Sequence, residues 1–143
     1  MGSMRGGGVV RDSEGSVVAA FSAFFGNGDS LQVEVHAILT GLLLCSERGI
    51  LIKEIETDSL AIFNSISDKC YIPLSIEYFI RRCKLLMDNH MSIIHTWHEG
   101  NVVAYFLTSI ASPTNRLLVL SSIGSFPPGG INFVQAYALG CFL

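Results

Sequence analysis

The sequence has few charged residues and no excess of positive charge. Only 15% of its 143 residues are charged, and 9 Lys and Arg stand against 12 Asp and Glu, for a formal net charge of -3. A protein that binds nucleic acid through its overall charge is therefore excluded, and any contact with phosphate needs a local basic patch or a bridging metal ion. The hydrophobic share of 50% excludes a mainly disordered chain. One domain with its own core is expected.

Long apolar runs and metal-binding cysteine patterns are also missing. The most apolar stretch, Ala37 to Cys45, is interrupted by Thr40 and Gly41 and falls well short of the roughly 18 residues of a membrane span. The amino-terminal residues 1–8 lack the apolar segment of a signal peptide. No CxxC pair and no zinc-finger spacing occurs among the four cysteines, Cys45, Cys70, Cys83 and Cys141. We expect an intracellular protein, nuclear or cytoplasmic, that is not secreted and not bound to a membrane.

The charge distribution suggests a boundary late in the chain. No Asp, Glu, Lys or Arg follows Arg116, and a Pro- and Gly-rich break at residues 124–130 precedes the apolar run Ile131 to Leu143. Such a run needs burial or a partner. The prediction is a domain over residues 1–112 and an uncharged apolar tail over residues 113–143.

Residue patterns within the domain predict the order β, β, α, β, α, α, β, α. The predicted elements are a hairpin around Asp12 to Gly15, a helix from Leu31 to Arg48, a strand from Ile50 to Thr57, a helix from Ser59 to Ile66, a helix from Ser75 to Asn89, a strand from Met91 to Trp97 and a helix from Asn101 to Ala111. Asp29 or Ser30 can cap the first helix. This order indicates an α/β fold with helices packed on a mixed sheet.

Four short motifs occur in a characteristic order. They are Gly7-Gly8-Val9-Val10-Arg11-Asp12, Glu34 with Ala37 and Gly41, Glu56-Thr57-Asp58-Ser59, and His98-Glu99-Gly100-Asn101-Val102-Val103-Ala104. In this order and spacing, the region from about residue 6 to 111 resembles the ribonuclease H-like domains that are common in plant genomes and related to retroelement reverse-transcriptase polyproteins. The resemblance implies a ribonuclease H-like mixed sheet with helices on its faces.

The resemblance also implies metal-assisted hydrolysis of the RNA strand of an RNA/DNA hybrid. Four carboxylates hold two Mg²⁺ ions in such domains, and Glu34 and Asp58 match two of them as catalytic and metal-binding residues. The acid-bearing first strand has no counterpart before Gly6, and Tyr105 stands where the acid of the last helix is expected. We therefore expect Mg²⁺ binding to be weak or absent and hydrolysis to be weak or lost.

Both candidate acids have a simpler interpretation. Glu34 near the start of a helix is favoured there by the helix dipole. Asp58 could be the N-cap of the helix that begins at Ser59.

Several residues are candidates for nucleic-acid contact. Arg81, Arg82 and Lys84 could form a basic ridge, although a solvated helix face is the commoner explanation for such charges. His95 and Trp97 could offer a stacking edge. By the resemblance, His98 and Asn101 join the nucleic-acid candidates.

Two functions follow as hypotheses. The first is a ribonuclease H-like protein that binds an RNA/DNA hybrid or another nucleic acid. The alternative is a non-catalytic protein-interaction module that keeps the fold. The absent first strand should leave an exposed sheet edge, which the tail, through Leu117 to Leu120, could cover in its own chain, in a homo-oligomer or with a protein partner.

Overall fold

The computed structural model describes residues 2–96, 112–114, 116–121 and 132–142, and it gives the backbone alone for residues 120, 121 and 132–142. It has a mixed α/β architecture. The strands are β1 (Gly2–Asp12), β2 (Val17–Gly28), β3 (Leu51–Ile52), β4 (Glu54–Thr57), β5 (Ser92–His95), β6 (Leu117–Ser121) and β7 (Asn132–Phe142); the helices are α1 (Ser30–Glu47), α2 (Leu60–Ile66) and α3 (Leu74–Leu86). The predicted helix from Asn101 to Ala111 lies outside the described residues.

The hairpin of β1 and β2 forms at the predicted position. The Asp12 carboxylate accepts hydrogen bonds from the backbone N–H groups of Glu14 and Ser16, both at 2.9 Å. Gly15 has a φ of 84°, a backbone conformation that residues with a Cβ rarely adopt. Asp12 is thus a turn residue, as its position in the sequence predicts.

Strand β2 is longer than the sequence pattern predicts. Residues 26–30 have a loop-like composition, but β2 continues to Gly28, which pairs with Gly2 of β1. A Cβ at Gly28 would lie 2.5 Å from the Met4 sulfur, so the Met4 side chain would have to shift to admit any larger residue here. The glycine that suggested a loop therefore serves close packing within the strand.

The helix α1 begins and ends within one residue of the predicted bounds, Leu31 and Arg48. The Asp29 side chain accepts a hydrogen bond from the Gln32 N–H at 2.8 Å, and the Gln32 side chain accepts one from the Asp29 N–H at 3.0 Å, which completes a capping box. Ile38 of α1, Ile55 of β4 and Ile80 of α3 belong to one buried core, which fixes both helices against the sheet.

Strand β7 lies in the middle of the sheet. The strand order is β5-β4-β7-β1-β2-β6, and β3 also pairs with β7. β7 runs antiparallel to β1, from Met4 opposite Phe142 to Asp12 opposite Phe133, and parallel to β4. Of the described strands, it is the one that joins β4 and β5 to the hairpin.

Residues 132–142 of the tail thus occupy the place between the hairpin and β4, whereas the sequence had suggested Leu117 to Leu120 as the segment that covers this edge. Residues 117–121 form β6, which pairs with β2 on the other side of the hairpin. The 11 residues of β7 match the 11 residues of β1, whereas the five residues of β6 could pair with less than half of it. Pairing of the edge with another chain stays a prediction.

The described helices include none that is both long enough and apolar enough to cross a membrane.

Candidate metal-binding site

The two predicted site acids lie in one pocket. Glu34 of α1 and Asp58, which follows β4, line a pocket of about 350 Å³. The rest of its lining is Ser30, Leu31, Ser59 and Ala61. The fold thus brings together two carboxylates that are distant in the sequence.

Glu34 lies one turn deeper in α1 than the helix-dipole interpretation requires. It is the fifth residue of the helix, and the first turn contains no acidic residue. Its side chain is half-buried, and its Oε2 atom is buried. The dipole effect falls off within the first turn, so it gives little reason for an acid at this position. The helix dipole therefore does not account for Glu34, which lines the pocket shared with Asp58.

Asp58 is held in place by its neighbours. His95 donates a hydrogen bond from Nε2 to the backbone carbonyl of Asp58 at 3.1 Å. Thr57 and His95 are partners in the parallel pairing of β4 and β5. His95 therefore holds the backbone at Asp58 against β5. From the sequence, His95 was a candidate for stacking against nucleic acid. Its hydrogen bond to Asp58 becomes evident only from the register of β4 and β5.

The N-cap interpretation of Asp58 is wrong. The N-cap of α2 is Ser59, whose side chain accepts a hydrogen bond from the Ile62 N–H at 3.3 Å. The Ser59 N–H in turn donates to the Thr57 hydroxyl at 3.2 Å. Ser59, and not Asp58, is therefore the N-cap residue of α2.

Glu56 is a third acid near the site that sequence reasoning had not singled out for metal binding. It is buried in β4, two residues before Asp58. Adjacent strand residues point to opposite faces of a sheet, and Ile55 belongs to the core beneath α1. Glu56 therefore faces the other side of the sheet, and it does not line the pocket of Glu34.

The donor set matches Mg²⁺ in type but is small. Carboxylate oxygens are the ligands that Mg²⁺ prefers. Within the residues that the structure describes, no group of three or more His, Cys, Asp or Glu side chains is placed to hold a metal ion. The sequence of β7 adds no acid, since Asn132–Phe142 contains neither Asp nor Glu.

The basic residues of α3 have partners within the chain. Arg81 forms an ion pair with Glu77 at 2.8 Å, and Lys84 pairs with Asp68. The Arg82 guanidinium lies 5.8 Å from the centre of the Tyr78 ring. This arrangement resembles the solvated helix face that the sequence also allows. His98, Asn101, Trp97 and Tyr105 lie outside the described residues.

Two of the described cysteines, Cys45 and Cys83, are buried and free. Burial raises the pKa of the Cys45 and Cys83 thiols to about 12, against an opposing effect of Arg48 and Arg82 respectively. Both are core thiols, as their helical spacing predicts.

A family model described as reverse transcriptase-like matches residues 2–111. The chain belongs to this family. None of the curated proteins matches it.

Two solved structures share its fold. RNase H1 from the halophilic archaeon Halobacterium salinarum NRC-1 is 20% identical, with a TM-score of 0.70 over 75% of this chain and 83% of the other. The amino-terminal RNase H domain of a Mycobacterium tuberculosis protein, in a fusion with maltose binding protein, is 18% identical, with a TM-score of 0.63 over 75% of this chain and 88% of the other. These matches confirm the predicted ribonuclease H-like fold.

Proposed function

We propose that this reverse transcriptase-like protein binds nucleic acid, with an RNA/DNA hybrid as its main ligand, and that its hydrolytic activity is weak or lost. One observation carries the proposal: Glu34 and Asp58 line a common pocket. Two carboxylates can attract a hard divalent cation but offer few of the oxygen ligands that organise a two-metal reaction.

Glu34 and Asp58 are the residues that would hold Mg²⁺. A bound ion of this kind can lower the pKa of water and polarise a phosphoryl oxygen. Within the chain, His95 and Ser59 keep the backbone around Asp58 in place through the hydrogen bonds described above. The half-buried position of Glu34 strengthens its electrostatic attraction for a cation relative to an exposed acid.

For nucleic-acid contact we propose Arg81, Arg82 and Lys84, together with His98 and Asn101. The Arg81 side chain is 72% exposed, although it pairs with Glu77. Exposed ion pairs contribute at most about 1 kcal/mol, so a phosphate can replace the carboxylate partner at little cost.

The alternative proposal is a non-catalytic protein-interaction module. It is favoured by the internal pairing of Arg81 and Lys84, which reduces the charge available for phosphate. It is also favoured by large apolar side chains at the surface of α3.

A labelled RNA/DNA hybrid tests the proposal in two assays. Fluorescence anisotropy measures binding, and gel electrophoresis measures cleavage with Mg²⁺ or Mn²⁺. We expect binding of the hybrid, with cleavage orders of magnitude below that of an intact ribonuclease H. Glu34→Gln and Asp58→Asn should weaken the effect of the divalent ion on binding. Glu14→Gln, which changes an exposed acid in the hairpin turn, is the matched control.

Two results would contradict the proposal. Failure to bind any hybrid would favour the interaction module. Rapid cleavage that both variants abolish would mean that other residues complete the metal site.

A further inference from the structure

The helix α3 presents large apolar side chains to solvent. Leu74, Tyr78 and Leu85 are 80%, 63% and 86% exposed. The opposite face of the helix is fully buried through Ile76, Ile80 and Cys83.

The exposed side chains form one continuous stripe. Leu74, Tyr78, Arg81 and Leu85 are spaced four, three and four residues apart. On a helix with 3.6 residues per turn, this spacing places all four on one face. It is also the spacing of the a and d positions in a coiled-coil seam, where side chains pack against a facing helix.

The stripe is complementary to the same stripe on a second, antiparallel copy of α3. If a second copy of α3 is laid antiparallel about a two-fold axis between Tyr78 and Arg81, Leu74 of one copy faces Leu85 of the other. Tyr78 then faces Arg81 of the other copy, a pairing that can form a cation–π contact. An isologous interface requires self-complementarity of this kind.

The charged residues that flank the stripe are also complementary between the two copies. In an antiparallel pair, residues on the same flank of each helix lie beside each other. Glu77 and Lys84 share one flank, so Glu77 of each copy lies near Lys84 of the other. Their present contacts, with Arg81 and Asp68, are ion pairs at the protein surface, which are weak and can be exchanged.

We propose that α3 is a homodimer interface, in which two copies of this chain pack their α3 helices antiparallel through the stripe of Leu74, Tyr78, Arg81 and Leu85. The occupant of this face is a second copy because both the apolar positions and the flanking charges match under one two-fold axis. The contact is limited to a helix of 13 residues. The dimer is therefore weak and depends on protein concentration. A second copy and nucleic acid compete for Arg81 and Lys84, so the monomer is the form that binds nucleic acid through these residues.

Sedimentation velocity of the full chain over a range of concentrations tests the interface. We expect a reversible monomer–dimer equilibrium. Leu85→Glu should weaken dimerisation at least tenfold, because it places a charge in the apolar seam. Leu60→Glu introduces the same charge at a residue of α2 that is 56% exposed, and it should leave the equilibrium unchanged. Circular dichroism checks that both variants fold.

A monomer at every concentration would overturn the proposal. So would a dimer that Leu85→Glu leaves intact, or one that both substitutions weaken equally.

Disulfide formation tests the antiparallel orientation independently. In a background with Cys70→Ser and Cys141→Ser, chains with Leu74→Cys are mixed with chains with Leu85→Cys. Cross-linked heterodimers should form in the mixture, while each variant alone should cross-link poorly, since equivalent residues lie about 16 Å apart along the helices. Efficient cross-linking of Leu85→Cys alone, or no cross-linking in the mixture, would refute the arrangement.

Discussion

The Ser59 side chain caps α2 by accepting a hydrogen bond from the Ile62 N–H at 3.3 Å. Asp58, one residue earlier, lines the pocket that contains Glu34. Of these two adjacent residues, Ser59 caps the helix and Asp58 is the candidate metal ligand. Substitutions at these two positions should separate helix stability from ion binding.

Ser59→Ala should lower the free energy of unfolding by about 1 kcal/mol, because an N–H of α2 loses its capping acceptor. Asp58→Asn should leave this cap in place and weaken the binding of Mn²⁺. Urea denaturation and isothermal titration calorimetry provide the two measurements. If Asp58→Asn destabilises the protein as much as Ser59→Ala, Asp58 has a structural role that the cap geometry does not account for.

Local features of the fold could be predicted from the sequence. The helix α1 follows from apolar residues at helical spacing and from the cap at Asp29, and the turn at Asp12 follows from its Asp and Gly residues. Each depends on residues that are near neighbours in the chain. The family resemblance further identified Glu34 and Asp58, which share a pocket in the structure.

Non-local features could not be predicted in the same way. Residues 117–120 and 132–142 are both apolar and compatible with strands, so their composition does not decide which of them lies between β1 and β4. The contact of His95 with Asp58 depends on the register of two strands that are far apart in the sequence. Asp58 and Ser59 are both good N-cap residues, so composition cannot decide between them.

The ring of His36 packs against two aromatic rings. Its centroid lies 5.2 Å from that of Phe25 and 4.2 Å from that of Phe79. Burial lowers the pKa of His36 below its ordinary value of 6.5. The folded state therefore disfavours the imidazolium, and the unfolded state binds a proton more readily.

This difference predicts a loss of stability in mild acid. The contribution of neutral His36 is complete above about pH 6.5 and declines as the pH falls toward the lowered pKa of the folded state. His36→Leu should reduce the fall in Tm between about pH 7 and about pH 5. His90→Gln changes an exposed histidine and should keep the pH dependence of the original protein. Equal slopes for the original protein and His36→Leu would contradict the prediction.

Strand β7 should be essential to the fold because it pairs with β1 on one side and β4 on the other. Ala136→Pro removes a backbone N–H from an inner strand, and the lost hydrogen bond alone should cost about 1 to 3 kcal/mol. Ser125→Pro, in the Pro- and Gly-rich segment before β7, is the control and should have little effect. Thermal unfolding measures both. Deletion of residues 117–143 removes both β6 and β7, so it should destabilise the fold more than Ala136→Pro does. It should also lower the solubility, which light scattering measures.

An unchanged Tm for Ala136→Pro would show that β7 is not an obligatory strand. The uncharged tail would then be dispensable for stability.

The register of β7 also predicts where a third carboxylate can be added. Ala136 is the partner of Ile55, which belongs to the core beneath α1, and Tyr137 is the partner of Glu56, which faces the other side of the sheet. Adjacent residues of a strand alternate between the two faces. Ala138 therefore shares the α1 face with Ala136, and continuing both strands by one residue places it level with Thr57, next to Asp58. Ala138→Asp should raise the affinity for Mn²⁺ about tenfold, which corresponds to about 1.4 kcal/mol, and Leu139→Asp should not. Ala138→Asn separates charge from shape, because Asn is similar in size to Asp but contributes no anionic oxygen. If Ala138→Asn and Ala138→Asp bind Mn²⁺ equally, or if Leu139→Asp has the stronger effect, β7 does not approach the pocket of Glu34 and Asp58 in this register.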